Sequence, residues 1–198
     1  QRIYNFADTY IVGRYLGDQA LAAVSISGSA MYMMFSIMMG VTTGVSVVIS
    51  QFYGAGEKKK IQETFTAGAH VSLWVAVLVT LLGVWTARPL LQVLQTSEEL
   101  MPQAYTYLVV IYLGCAATML YNFASAVLRA MGNSVVPLIF LILSSILNVI
   151  LDIAFVSWMP MGVAGAAFAT VLSQLVSGIL CLIYALWILP VLRVPRRK

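Results

Sequence analysis

Residues 147–155 read LNVILDIAF, with Asn148 and Asp152 set four apart among seven apolar residues. That spacing is about one helical turn, so amide and carboxylate share a helix face. Between Arg129 and Arg193 no other charged residue occurs. A second pair, Tyr4 and Asp8, repeats the four-residue spacing near the start. Carboxylate, amide and hydroxyl oxygens in an apolar setting are suited to holding a small cation. Two acids brought together there cannot both stay charged cheaply. The pair then binds a proton or, with Asn148 and the Thr170 hydroxyl, ligates a hard ion such as Na⁺. Asn148, Thr170 and Tyr4 also fit ordinary interhelical hydrogen bonding. The acids are more telling: a charge at the centre of a membrane helix costs roughly 2.5–3.5 kcal/mol on insertion scales, and such residues mark ion or proton paths.

The elements that must position these groups are membrane helices. The chain is 61% hydrophobic and 9% charged, and a spanning helix needs ~20 apolar residues. Turn and charge signals divide it into six spans, at about 1–16, 20–53, 61–87, 101–131, 135–158 and 163–189. Leu90 to Glu99 reads as a short amphipathic connection, and Arg88-Pro89 as the break before it. Gly40-Val-Thr-Thr-Gly44 fits the small-residue packing pattern. The expected class is all-α: a polytopic transmembrane bundle. The chain begins inside the first span, which reads as a fragment lacking the start of that helix. Arg2 then lies about 9 Å deeper than Asp8, where it lines a cavity or snorkels.

Alternate loops carry Lys58, Lys59, Lys60, Arg129, Arg193, Arg196, Arg197 and Lys198, against Arg14 and Arg88 on the other side. The positive-inside bias places the triple-lysine turn and the C-terminal end in the cytoplasm. It also accounts for the net charge of +4 with the lipid bilayer as partner and no nucleic acid. Cys115, Cys181 and His70 are solitary and form no metal or redox spacing. No cofactor motif is present.

Two hairpins echo each other. Asp8 is followed by Gly17 and the small-residue opening Ala20-Leu-Ala22-Ala23; Asp152 is followed by Gly162 and Ala164-Gly165-Ala166-Ala167-Phe-Ala169-Thr170. The first and fifth spans run the same way, so both aspartates sit at similar depth, about two and a half turns inside the outer end.

Tyr4-Asn5-x-x-Asp8-Thr9 with Val12-Gly13-Arg14-x-x-Gly17-x-x-Ala20-Leu21-Ala22-Ala23-Val24 resembles the first hairpin of MATE (multidrug and toxic compound extrusion) transporters. Ser50-Gln51-Phe52-Tyr53-Gly54-Ala55-Gly56 and Arg129-Ala130-Met131-Gly132-Asn133-Ser134 with Pro137 resemble two of their cytoplasmic turns. Ile146-Leu147-Asn148-x-x-x-Asp152 and Gly162-Val163-Ala164-Gly165-Ala166-Ala167-x-Ala169-Thr170 are similar to their fifth and sixth helices. The resemblance implies one six-helix lobe, the N-terminal one, of a twelve-helix transporter, with the second lobe expected from the missing half of the chain. It implies export of small organic cations, amphipathic drugs or metabolites, in exchange for H⁺ or Na⁺. It implies a cation site at Asp8, Asn148, Asp152 and Thr170, with Tyr4 and Tyr107 lining the cavity.

Three other readings compete: a related transporter, a membrane-embedded enzyme, and a non-transporting receptor or assembly subunit. A lipid-linked oligosaccharide flippase of related architecture needs a more cationic cavity, and apart from Arg2 the spans are short of Arg and Lys. A non-transporting assembly subunit needs no paired intramembrane acids. The absence of HExxH, a Gly-x-Ser-x-Gly elbow, paired histidines and a Walker loop disfavours an enzyme and ATP coupling. Secondary transport accounts best for the residues, with the choice between H⁺ and Na⁺ open because the same oxygens suit both.

Overall fold

The computed structural model describes residues 2–159 and 161–192, with side chains from Thr9 onward. Among them every regular element is helical: α1 (Arg2–Leu16), α2 (Asp18–Gly54), α3 (Lys58–Val93), α4 (Met101–Leu113), α5 (Cys115–Ala130), α6 (Val135–Asp152), a π-helical segment (Ile153–Trp158), α7 (Gly162–Ile188) and a closing 3₁₀ turn (Pro190–Leu192). The two echoing hairpins turn at Gly17 (φ 86°) and Gly162 (φ 62°). Both take left-handed backbone that a Cβ would strain. Here the sequence repeat is also a repeat of turn chemistry.

Length and composition make four helical stretches able to cross a bilayer: Asp18–Gly54, Lys58–Val93, Val135–Trp158 and Gly162–Ile188. A fifth crossing is the bent pair α4 and α5, which meet at 47°. The outer surface agrees. Trp74, Trp85, Trp158 and Trp187 are each at least 70% exposed, alongside Leu73, Leu81, Ile150 and Ile183. An apolar surface this continuous suits lipid rather than water. α3 has 36 residues, which gives about 54 Å by helical rise against a hydrocarbon core of about 30 Å. Its charged first turn therefore stands clear of the lipid, where Lys60 pairs with Glu57 at 2.6 Å and Lys59 with Glu63 at 3.9 Å.

Three local expectations are corrected. α3 does not stop at Ala87 but continues through Pro89 to Val93. The proline removes one backbone hydrogen bond, yet Ala87 and Leu91 on either side of it are fully buried, and that packing holds the helix together. The expected single span over 101–131 is broken at Gly114. At the break Thr80 Oγ1 donates to the Tyr112 carbonyl at 2.9 Å, the side-chain capture that lets a bent helix survive in lipid. Gly40 and Gly44 have nothing within 4 Å of an added Cβ, so their spacing marks no close approach within the described lobe.

Close approach happens elsewhere. α7 packs against α5, α6 and α4; α2 packs against α3, α4 and α5; α1 lies between α2 on one side and α6, the π-helical segment and α7 on the other. Small residues make this possible. Ala20, Ala23, Ala104, Ala166, Ala167 and Ala169 are all buried, and a Cβ on Gly178 would lie 3.0 Å from the Tyr121 nitrogen. A Cβ on Gly114 would fall inside the Val171 side chain, whose β-branched rotamer has little freedom to move. Gly114→Ala is therefore expected to destabilise the fold by about 1–3 kcal/mol, while Gly40→Ala leaves it unchanged. Thermal unfolding of both variants in detergent checks the contrast.

Candidate functional site

α6 is amphipathic in an unusual sense: its buried residues are Pro137, Ser144, Asn148 and Asp152. In lipid the apolar residues face outward, and the Ser144–Asn148–Asp152 polar stripe is what the bundle encloses. α7 supplies the opposite wall, where Thr170, Ser173, Gln174 and Ser177 are all at most 5% exposed.

The two walls run antiparallel and meet at regular intervals. Asn148 Nδ2 donates to Thr170 Oγ1 at 3.3 Å. One turn along, Ser144 Oγ donates to the Ser173 carbonyl at 2.9 Å. One turn further, Ser177 Oγ donates to the Phe140 carbonyl at 3.3 Å. The Ser173 hydroxyl donates to the Thr170 carbonyl at 2.9 Å. Extending this register the other way sets Asp152 beside the Gly165–Ala167 stretch, whose small side chains leave the carboxylate room.

Asp152 is 0% exposed, and it is the one acidic or basic side chain among the buried described residues. It closes α6, and the next six residues are π-helical. There the Met159 nitrogen donates to the Ala154 carbonyl at 3.0 Å and the Met161 nitrogen to the Phe155 carbonyl at 2.9 Å. π-turns are concentrated at functional positions because they re-aim the side chains beside them. Gly165 allows it: a Cβ there would sit 3.0 Å from the Phe155 Cβ and 3.1 Å from its carbonyl oxygen.

The structure brings Asn148, Asp152 and Thr170 onto one buried interface. α1, the helix that carries Tyr4 and Asp8, packs against α6, the π-helical segment and α7; the side chains of Tyr4 and Asp8 lie outside the described residues, as does that of Arg2. Tyr107 on α4 is fully buried in the apolar cluster that includes Met34, Ala104 and Leu108. Cys115 and Cys181 are buried free thiols, the second 3.9 Å from Ser125 Oγ. His70 Nδ1 lies 2.7 Å from the Thr66 carbonyl on its own helix. Among the described residues no group of three or more His, Cys, Asp or Glu gathers as metal ligands. The polar groups of this interface are hydroxyls, amides and one carboxylate, oxygen chemistry of the kind that suits a proton or a hard monovalent cation.

Sequence reasoning missed Ser144, Ser173, Gln174 and Ser177. The signal was present: Ser144 precedes Asn148 by four residues, and Gln174 follows Thr170 by four.

These features define a multi-pass membrane protein whose buried acid stands in an interhelical polar seam. A model of the MatE family matches residues 1–154, and the chain belongs to that family. It is 32% identical over 183 residues to "Probable multidrug resistance protein YpnP" of Bacillus subtilis, covering 92% of this chain and 41% of that protein. A crystal structure of MATE in the bent conformation superposes with a TM-score of 0.88 at 28% identity, covering 94% of this chain and 41% of the other. The inward-facing conformation of a multidrug resistance MATE family transporter of the MOP superfamily gives a TM-score of 0.87 at 28% identity, covering 99% and 43%. The chain thus spans about two-fifths of the length of the relatives it matches.

Thr170→Val keeps the shape of the side chain and removes the acceptor of the Asn148 amide. It is expected to lower stability by about 0.5–1.5 kcal/mol. Asp152→Asn is expected to fold, because a neutral amide is less costly in lipid than a charge. Equilibrium unfolding of both variants in mixed micelles checks this.

Proposed function

We propose that the chain is the N-terminal lobe of a secondary antiporter that exports cationic amphipathic compounds in exchange for H⁺ or Na⁺. One observation carries the reading: among the described residues Asp152 is the one buried member of the Asp, Glu, Lys, Arg and His set, and it shares its face of α6 with Ser144 and Asn148 inside a lipid-facing bundle. An acid so placed is costly, and a reversible cation store justifies it. Relatives named as multidrug resistance proteins and transporters support export of drug-like compounds.

In this reading Asp8, Asn148, Asp152 and Thr170 bind the coupling ion, and Tyr4 lines the adjoining cavity; Tyr107, expected from the resemblance to line it too, packs inside the apolar cluster instead. The ion and the organic cation compete for the same negative charge, so loading one favours release of the other. A second six-helix lobe completes the substrate cavity, and access alternates between the two membrane faces. The Lys58–Lys60 turn faces the cytoplasm, following the lysine and arginine bias. The chemistry is ion exchange rather than catalysis.

The test is uptake of a fluorescent organic cation into everted vesicles from cells expressing the full-length gene product, under an imposed H⁺ or Na⁺ gradient. Wild-type uptake is expected to need one gradient, and Asp152→Asn to lose at least tenfold of it while remaining folded and inserted. Wild-type transport by the variant would remove Asp152 from the coupling site.

A further inference from the structure

From Asp152 the polar seam continues inward, away from the Gly162 turn. It runs through Asn148 and Thr170, then Ser144 and Ser173, then Ser177, and ends where Tyr121 Oη donates to the Pro137 carbonyl at 2.9 Å. By helical rise the distance from Asp152 to Pro137 is about 22 Å, much of the thickness of a bilayer core. Pro137 lies in the first turn of α6, just past the turn that holds Arg129 and Asn133.

The donor and acceptor balance of this seam is lopsided. The hydroxyls of Ser144, Ser173 and Ser177 each give their one proton to a carbonyl. What each has left is oxygen lone pairs. Gln174 adds another acceptor: it is 2% exposed, and its Oε1 meets no donor among the described residues. It follows Thr170 by four residues and precedes Ser177 by three, so it shares their face of α7. Buried acceptors in series, the three serines with their own protons committed, suit bridging water and hydronium and repel anions. Contacts of 2.9 to 3.3 Å across the seam hold α6 and α7 together. Water bridging the spare lone pairs would link one acceptor to the next, and a proton passes along such a chain by exchange of hydrogen-bond partners.

We propose that the α6–α7 seam is a proton relay, with Gln174 at its middle, connecting Asp152 to the Arg129–Asn133 end of the bundle. In each transfer a hydronium gives a proton to the Asp152 carboxylate, forming the O–H bond and leaving water, and the reverse step releases it. Nothing is oxidised or reduced. The relay rests on the reading of Asp152 as a cation carrier and gives H⁺ a route to it.

The experiment uses the full-length gene product in phospholipid vesicles. Rapid mixing into D₂O, followed by infrared spectroscopy, reads the exchange rate of the protonated carboxyl band that Asp152→Asn abolishes. Gln174→Met, close in shape and without the amide, is expected to keep the band amplitude and helix content but slow exchange at least tenfold. Ser144→Ala serves as the second variant if Gln174→Met fails to fold, with the same expected direction. Folded variants that exchange at the wild-type rate would overturn the relay alone. A wild type with no Asp152-dependent band at any pH would remove Asp152 as a proton carrier and take the relay with it.

Discussion

The structure depends on one constraint: a carboxylate must be kept inside a bundle that sits in hydrocarbon. Lipid cannot hydrate Asp152, so the protein has to supply oxygen and amide partners and exclude the tails. Much else follows from that. α6 turns its aliphatic residues outward and its Ser144–Asn148–Asp152 stripe inward. α7 opposes it with hydroxyls and an amide, and the helix beyond Asp152 widens into a π-turn against Gly165. An ordinary soluble helix would bury the opposite face.

Close packing of small residues is what makes the seam affordable in geometric terms. Helix association in lipid gains little from the hydrophobic effect, so contact area and hydrogen bonds must hold the lobe together. Gly178 against the Tyr121 backbone, Gly114 against the Val171 side chain and Gly165 against the π-turn are places where α7 meets its neighbours closely. They fix α7 at the centre of the lobe, in contact with α4, α5, α6 and α1. The polar contacts of 2.9 to 3.3 Å across the α6–α7 interface need that fixed spacing.

Much of this was legible in the sequence, and for physical reasons. Apolar run length gives membrane helices directly, and Gly17 and Gly162 announce turns whose positive φ the structure contains. The four-residue spacing of Asn148 and Asp152 already placed them on one face, and the structure sets Thr170, also named from the sequence, 3.3 Å from Asn148 across the interface. What stayed hidden depends on neighbours. Pro89 looks like a stop until Ala87 and Leu91 are seen buried around it. Gly114 looks like one small residue among many until α7 presses on it. Gly40 and Gly44 show the converse, a packing pattern with nothing packed on it. Ser144, Ser173 and Ser177 were passed over because a lone serine in a membrane helix usually satisfies its own backbone, as Ser36 and Ser145 do here; only the antiparallel register of α6 and α7 reveals the three as a series.

The central claim is that Asp152 binds and releases a cation while it stays buried. The most direct measurement is a pH titration of the chain in lipid vesicles by infrared difference spectroscopy, with and without Na⁺. The account predicts a carboxyl signal that titrates reversibly or responds to Na⁺, and that disappears in Asp152→Asn with the fold intact. A signal that neither proton nor Na⁺ alters, or that persists in Asp152→Asn, would contradict it.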